Sequence, residues 1–170
     1  LKEIFSVGYE YFHLIIHEST GEDNYEYQTD FFVSSELYQR ANQGILITDI
    51  DDDGENEMLC LTSGVNSLTG ELITPGSFFI VNGVDDVSSL SYSNFNLFST
   101  YEGGLRQVGL GDADGDGNVN IYLAGHYDEA VYDWEYEGGN PLDPSSYTER
   151  IIFMDDTTDA FTPNNDQGKV

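Results

Sequence analysis

Two acidic segments of the chain carry residues whose types and spacing suit the binding of a metal ion. Each follows the pattern Asp-x-Asp-x-Asp-Gly-x-x, closed by Glu in the first segment and by Asn in the second. Carboxylates at alternate positions of a tightly coiled loop converge on one point, and calcium accepts about six to eight oxygen ligands in a flexible shell. The glycine at the sixth position permits the sharp turn that such a loop needs. We therefore predict one calcium site in each segment.

The expected ligands are side chains and one backbone carbonyl in each loop. In the first loop they are the side chains of Asp49, Asp51, Asp53 and Glu57 and the carbonyl of Glu55; in the second they are the side chains of Asp112, Asp114, Asp116 and Asn120 and the carbonyl of Asn118. Magnesium fits less well, because it requires a smaller octahedral shell that keeps several waters.

Two other interpretations of these loops are open. The helical EF-hand begins with the same pattern but needs a bidentate Glu at the twelfth position, where this chain has Cys60 and Leu123 inside apolar, strand-like runs. Plain turns are the second alternative, because Asp and Asn side chains satisfy turn backbones without a metal. Several unneutralised carboxylates in one turn repel each other, however, and this favours a cation in each strand–loop–strand turn.

The two loops belong to an internal repeat, whose period is the separation of Asp49 and Asp112. Residues 27–32 resemble residues 92–98, and residues 78–83 resemble residues 151–156 with about ten residues inserted. A fixed period of this length indicates units that bury their faces against their neighbours. The chain is therefore predicted as a single β-repeat domain, 1–170, with approximate repeats over 1–48 (partial), 49–111 and 112–170 (partial).

Strand patterns dominate the sequence, so the predicted fold class is all-β. Short segments rich in Val, Ile, Phe and Tyr alternate with clusters of Gly, Asn, Asp and Ser. Asn82-Gly83 is predicted to form a tight hairpin turn, and residues 35–42 give the best, though short, helical pattern. The predicted strands cover 12–17, 45–48, 58–62, 78–81, 107–110, 121–124, 131–136 and 150–154.

The strand count of each repeat predicts repeated four-stranded antiparallel units of β-propeller type. The period set by Asp49 and Asp112 divides the chain of 170 residues into about 2.7 blades. Because propellers close with about four to eight blades, we expect the chain to be a fragment of a larger propeller or to receive its missing blades from elsewhere.

The composition excludes several classes of function. The chain has 32 acidic and 5 basic residues, a formal charge of −27, yet 39% of its residues are hydrophobic and 14% aromatic. This apolar content indicates a folded protein, because acidic disordered chains are poor in such residues. The shortage of Lys and Arg excludes nucleic acid as a partner, and the lack of any run of about 18 apolar residues excludes membrane insertion. The single cysteine, Cys60, allows no internal disulfide and is predicted to be a buried hydrophobe.

An aromatic stripe offers a second candidate site. Tyr132, Trp134 and Tyr136 alternate with acidic residues, so on a strand the three rings share one face. They could form a stacking platform for a sugar ring. Packing of one sheet on its neighbour is the alternative that we favour, because aromatic residues dominate core energetics.

The strand–acidic loop–strand pattern at 49–57 and 112–120 resembles the FG-GAP/VCBS repeat family, the calcium-bearing blades of integrin-α-like propellers. The resemblance covers most of the chain at the level of the repeat. It implies calcium bound in a β-turn of each blade and a location on extracellular proteins. The Phe-Gly and Gly-Ala-Pro signatures of the family are absent, and its usual last Asp is replaced by Glu57 and Asn120. We expect weaker binding at the second loop, since Asn120 carries no charge.

The function predicted from these features is a non-enzymatic, calcium-binding and calcium-stabilised β-propeller-type module of an extracellular or cell-surface protein. It would act in adhesion, ligand binding or structural assembly, with two Ca²⁺ ions. Its partners would be a protein or glycan ligand at the surface, or further blades or subunits of the same assembly. The sequence contains no nucleophile elbow, P-loop, dinucleotide fingerprint or HExxH motif, so we do not expect an enzyme. A carbohydrate-binding lectin module and a scaffold part of a polysaccharide-degrading enzyme remain as alternatives.

Overall fold

A computed structural model gives the fold, and it confirms an all-β chain. It describes residues 3–7, 12–21, 24–33, 42–62, 76–101, 104–112, 114–125 and 130–153. The strands are β1 (Glu3–Val7), β2 (Phe12–Gly21), β3 (Asn24–Val33), β4 (Asn42–Thr48), β5 (Glu57–Thr62), β6 (Gly76–Val81), β7 (Phe95–Tyr101), β8 (Leu105–Gly111), β9 (Asn120–Gly125), β10 (Ala130–Tyr136) and β11 (Tyr147–Phe153), with 3-10 helices at Tyr92–Asn94 and Pro144–Ser146. Within these ranges no helix has the length and hydropathy needed to cross a bilayer.

The strands form three antiparallel sheets in which neighbouring strands follow one another along the chain. The first sheet holds β1-β2-β3, the second β4-β5-β6-β7 and the third β8-β9-β10-β11. The second and third sheets are four-stranded antiparallel units of the kind that the repeat predicts. The first two strands of these sheets follow the repeat period without a shift. Strand β8 begins and ends one full period after β4, and β9 begins and ends one full period after β5. Each acidic loop therefore joins the first two strands of a four-stranded sheet.

The downstream half of the predicted repeat alignment is wrong. Residues 78–81 lie in β6, the third strand of its sheet, and the third strand of the next sheet is β10. The predicted counterpart at 151–156 instead begins within β11, the fourth strand. The difference arises from connection length, because β5 and β6 are joined by 63–75 whereas β9 and β10 are joined by the much shorter 126–129. The second copy is thus shortened at this connection, and no insertion is needed.

The predicted tight turn at Asn82-Gly83 is also corrected. Strands β6 and β7 do pair as antiparallel neighbours, but residues 82–94 join them and end in a 3-10 helix. Gly83 has a φ of 74° and begins this connection. The Asn82 amide donates to the Asn94 carbonyl at 3.3 Å, which closes the longer loop.

Other local predictions differ from the structure at the edges of the sheets. Strands β1, β3 and β7 had no counterpart among the predicted strands, because Glu, Asp, Asn and Ser interrupt their apolar residues and are depleted in strands generally. Strand β11 begins at Tyr147, ahead of the predicted start at Arg150. The predicted helical segment lies outside the described residues, apart from Asn42, which begins β4.

The second sheet is covered on both faces, so β5 and β6 are buried along their whole length. One face packs on the first sheet and the other on the third, and strands covered on both sides are typically continuous apolar runs. Cys60 belongs to the first of these contacts and is fully buried, as predicted. The contact with the first sheet joins Leu14, Ile16 and Phe31 to Met58, Cys60, Phe79 and Val81. The contact with the third sheet joins Leu59, Leu61, Phe78 and Ile80 to Ile121, Leu123, Tyr132 and Trp134.

A close backbone approach between the second and third sheets predicts a large effect of a small substitution. A Cβ atom added at Gly76 would lie 2.7 Å from Gly104 Cα and 2.8 Å from the Leu105 amide nitrogen. Because backbone atoms cannot yield as a flexible side chain does, Gly76→Ala is expected to lower the free energy of unfolding by about 1–3 kcal/mol in urea denaturation. Gly109→Ala is the matched control, since a Cβ there meets no atom within 4 Å. Equal stability of the two variants would contradict the close approach.

Candidate metal centre

The first acidic loop brings together the three aspartates that its spacing predicts. Asp49, Asp51 and Asp53 each offer a carboxylate oxygen, and these atoms lie within 4.8 Å of one another. Asp49 accepts hydrogen bonds from the amides of Asp53 and Gly54, at 3.1 and 2.9 Å. The side chain at the first position therefore fixes the turn that carries the other two.

The second acidic loop has the same geometry. The carboxylate oxygens of Asp112, Asp114 and Asp116 also lie within 4.8 Å of one another. Asp112 accepts hydrogen bonds from the amides of Asp116 and Gly117, at 3.1 and 3.0 Å. The two loops, one repeat apart in the chain, thus fold alike down to these individual hydrogen bonds.

Two positions of each loop have left-handed backbone angles. The glycines at the sixth position, Gly54 and Gly117, have φ values of 92° and 94°, which confirms the reason for their presence. The fourth position has a φ of 59° at Asp52 and 75° at Gly115. Asp52 therefore holds a conformation that costs energy for a residue with a Cβ atom.

Asp52→Gly is expected to raise the free energy of unfolding by roughly 0.5 kcal/mol, because the relief of left-handed strain exceeds the added entropy of the unfolded chain. Asp52→Ala is the matched control, since it removes the same charge and keeps the Cβ atom. Thermal melts in chelator separate the two effects. If the alanine variant were stabilised as much as the glycine variant, charge rather than backbone strain would account for the change.

Glu57 closes the first loop from a buried position at the start of β5. Its carboxylate accepts a hydrogen bond from the Ile50 amide at 3.0 Å, and its side chain stands outside the group of three converging aspartates. The pKa of Glu57 is raised to about 7, chiefly by burial and additionally by the charges of Asp51, Asp53 and Asp49, while the hydrogen bond from the Ile50 amide opposes the shift. A divalent cation among these carboxylates would relieve the repulsion that they exert on one another.

The corresponding Asn120 makes a different contact. It is buried at the start of β9, and its Nδ2 donates to Asp133 Oδ1 at 3.0 Å. The carbonyls of Glu55 and Asn118 are the predicted backbone ligands, and an aspartate fixes each of these residues. Asp53 accepts a hydrogen bond from the Glu55 amide and Asp116 accepts one from the Asn118 amide, each at 2.8 Å. Ligation by Asn120 and by the Glu55 and Asn118 carbonyls stays a prediction.

Sequence reasoning missed a residue that braces the first loop. Asp85, in the connection between β6 and β7, accepts hydrogen bonds from the backbone amide and the Nδ2 of Asn56, at 2.5 and 2.8 Å. The two residues are far apart in the chain, so no local spacing reveals the pair. The residue that matches Asn56 by the repeat period is Val119, and Asn118, one position earlier, donates its side chain to Asp116 of its own loop at 2.9 Å.

The donor atoms of both loops suit a hard cation. Each converging group consists of carboxylate oxygens, which favour calcium, magnesium or manganese over metals that prefer sulfur or imidazole. The adjoining backbone carbonyls of the coil could complete a shell of about six to eight oxygens, which is larger than the shell that magnesium prefers. The residues present therefore fit calcium.

The aromatic stripe on β10 lies in the core. Tyr132, Trp134 and Tyr136 are 8%, 5% and 9% exposed and belong to the cluster that joins the second and third sheets. The Trp134 indole donates to the Tyr101 hydroxyl at 2.8 Å. The packing alternative accounts for this stripe, and the rings present no open face on which a sugar could stack.

The acidic residues that alternate with the stripe occupy the opposite face of β10. Asp133 and Glu135 are each 4% exposed, and Arg150 on β11 forms ion pairs with both. Burial raises the pKa of each carboxyl, while the arginine lowers it. These acids are therefore paired within the sheet and do not belong to the converging groups of the loops.

Comparison with known proteins gives no relative from which a function could be transferred. No protein-family model, no curated protein and no solved structure matches the chain.

Proposed function

We propose that the chain is a non-enzymatic, calcium-binding and calcium-stabilised module of β-propeller type from an extracellular or cell-surface protein. One observation carries the proposal: two loops, one repeat apart, each bring three carboxylates within 4.8 Å in the same conformation. Repeated convergence of like charges at the same place in two sheets favours a shared cation over two unrelated acidic turns.

The packing of the sheets supports the propeller-type arrangement. The sheets stack face to face in chain order, and the middle one is covered on both sides. Strand β8, the first of the third sheet, lies against β4, the first of the second sheet. Blades around a propeller axis pack in this way, with their first strands next to one another. Further blades or subunits of the same assembly would cover the two outermost faces.

The proposed role is adhesion, ligand binding or structural assembly. Strand connections carried by rigid sheets are suited to binding, and a protein or glycan ligand would be held at the surface. Extracellular modules commonly bind calcium with dissociation constants of about 10⁻⁴–10⁻³ M, which suits exposed carboxylate loops such as these. The family resemblance of the loops points to the same setting.

Terbium luminescence tests the proposal. Tb³⁺ is a hard cation that replaces calcium at oxygen sites, and aromatic side chains near a bound ion sensitise its emission. Tyr136 lies close enough to the first loop for Asp51 and Asp53 to raise its pKa, after the larger effect of burial. We expect sensitised emission that excess calcium abolishes and that magnesium displaces poorly.

The double variant Asp51→Asn/Asp114→Asn should lose most of this emission, because it neutralises the central carboxylate of each loop. Asp86→Asn is the control, since it removes an acid that is bonded to Ser88 in a turn outside both loops. Emission that survives in the double variant, or that calcium does not displace, would contradict calcium binding at these loops.

A further inference from the structure

We infer that the first acidic loop fastens the second sheet to the third, so that a cation bound there orders the core around Trp134, and that the second loop has no such role. This inference rests on the proposed calcium binding and assigns an effect to one of the two sites. The core in question is the cluster between the second and third sheets, called here the junction.

The first loop is anchored in the junction by Ile50. This residue stands between the predicted ligands Asp49 and Asp51, is 3% exposed, and belongs to the junction cluster. Its amide donates to Glu57, which closes the same loop. Any movement of the ligand-bearing turn therefore displaces a buried side chain between the two sheets.

Residues of the third sheet form the other side of the contact around Ile50. Burial raises the pKa of the Tyr147 hydroxyl, and the neighbouring Tyr136 and the charges of Glu57 and Asp51 raise it further. Such charges act more strongly in a protein interior than in water, because the dielectric constant is lower there. Ile50 of the first loop also shares the junction cluster with Tyr136 and Tyr147, so the loop and the third sheet meet in one core.

Aromatic contacts connect those tyrosines to the single tryptophan. The Tyr147 ring centroid is 5.3 Å from that of Tyr136 and 6.0 Å from that of Trp134. Trp134 in turn contacts Phe78 of the second sheet at 6.1 Å. Close-packed cores transmit small displacements because they contain few voids, so Trp134 is placed to report the state of the loop.

Among the described residues of the second loop, 112 and 114–119, none belongs to the junction cluster. The three aspartates of this loop are exposed, whereas Asp49 and Asp51 are partly buried. The residue that matches Ile50 by the repeat period is Ala113, which lies outside the described residues and has a much smaller side chain. The first loop is also braced by Asp85. Rigidity and ligand charge raise calcium affinity, so the first loop should be the tighter site, by about tenfold.

Calcium titrations that compare matched single-loop variants test the inference. Asp51→Asn and Asp114→Asn alter positions related by the period, and near-ultraviolet circular dichroism with Trp134 fluorescence reports the junction. We expect a calcium-dependent change in the wild type and in Asp114→Asn, with most of it lost in Asp51→Asn. Calorimetry on the same samples counts the ions bound to each variant.

The outcomes separate this inference from the proposed function. If calorimetry shows no calcium bound to the wild type, both fail. If two ions bind while the Trp134 signals stay unchanged, or if the two variants respond equally, only the inference is overturned. Ile50→Val keeps every ligand and removes one methylene group from the core, so it is expected to fold and, at saturating calcium, to give a smaller Trp134 response. A full response in Ile50→Val would overturn the coupling.

Discussion

Raising free calcium to about one hundred times the dissociation constant of a loop is expected to add about 2.7 kcal/mol per site to the free energy of unfolding. The gain arises because the ion binds carboxylates that converge only in the folded chain, such as those of Asp49, Asp51 and Asp53. Without the ion, folding must bring these charges together unaided. The melting temperature should therefore be lowest in excess chelator and should rise with calcium until both loops are filled.

Thermal melts over a calcium series measure this effect. Sodium chloride at matched ionic strength is the essential control, because a chain of net charge −27 gains stability from salt screening alone. The double variant Asp51→Asn/Asp114→Asn should melt at nearly the same temperature with and without calcium. A wild-type melting temperature that responds equally to sodium and to calcium would show that screening, and not binding, explains the stabilisation.

Phe78→Ala is expected to cost about 3–5 kcal/mol of stability. Phe78 is fully buried on β6, and its ring lies 5.5 Å from Phe98 in its own sheet and 6.1 Å from Trp134 in the third. Truncation therefore opens a cavity at the centre of the junction, where two rigid sheets cannot collapse to fill it. Since the free energy of unfolding of a whole domain is only about 5–15 kcal/mol, this single change should remove a large part of it.

Urea denaturation in saturating calcium gives the comparison. Leu97→Ala, which truncates a side chain that is 48% exposed on the adjacent strand, should change stability by less than about 0.5 kcal/mol. Phe78→Leu keeps most of the apolar volume and should fall between the two, so a graded series remains even if the alanine variant does not fold. A Phe78→Ala variant as stable as Leu97→Ala would mean that the second and third sheets do not pack through this ring.

The parts of the structure that follow from local chemistry could be predicted from the sequence. The acidic loops form because Asp side chains accept hydrogen bonds from amides a few residues away, as Asp49 and Asp112 do. Their glycines and their flanking strands β4, β5, β8 and β9 obey the same short-range rules. This is why the repeat period holds without a shift in this half of each sheet.

The features that could not be predicted depend on contacts between distant parts of the chain. The alignment of β6 with β10 was missed because the connections before them differ in length, and similar apolar runs cannot reveal which strand of a sheet they occupy. The brace from Asp85 to Asn56 joins two separate loops. Buried Asp133 is paired by Asn120 on β9 and by Arg150 on β11, and the periodicity of β10 alone does not reveal partners on neighbouring strands.

Each loop is expected to bind one calcium ion, and equilibrium dialysis at free calcium well above both dissociation constants tests this central claim most directly. We predict two ions per chain in the wild type, one in either Asp51→Asn or Asp114→Asn, and none in the double variant. An empty wild-type protein, or a double variant that still binds two ions, would contradict the claim.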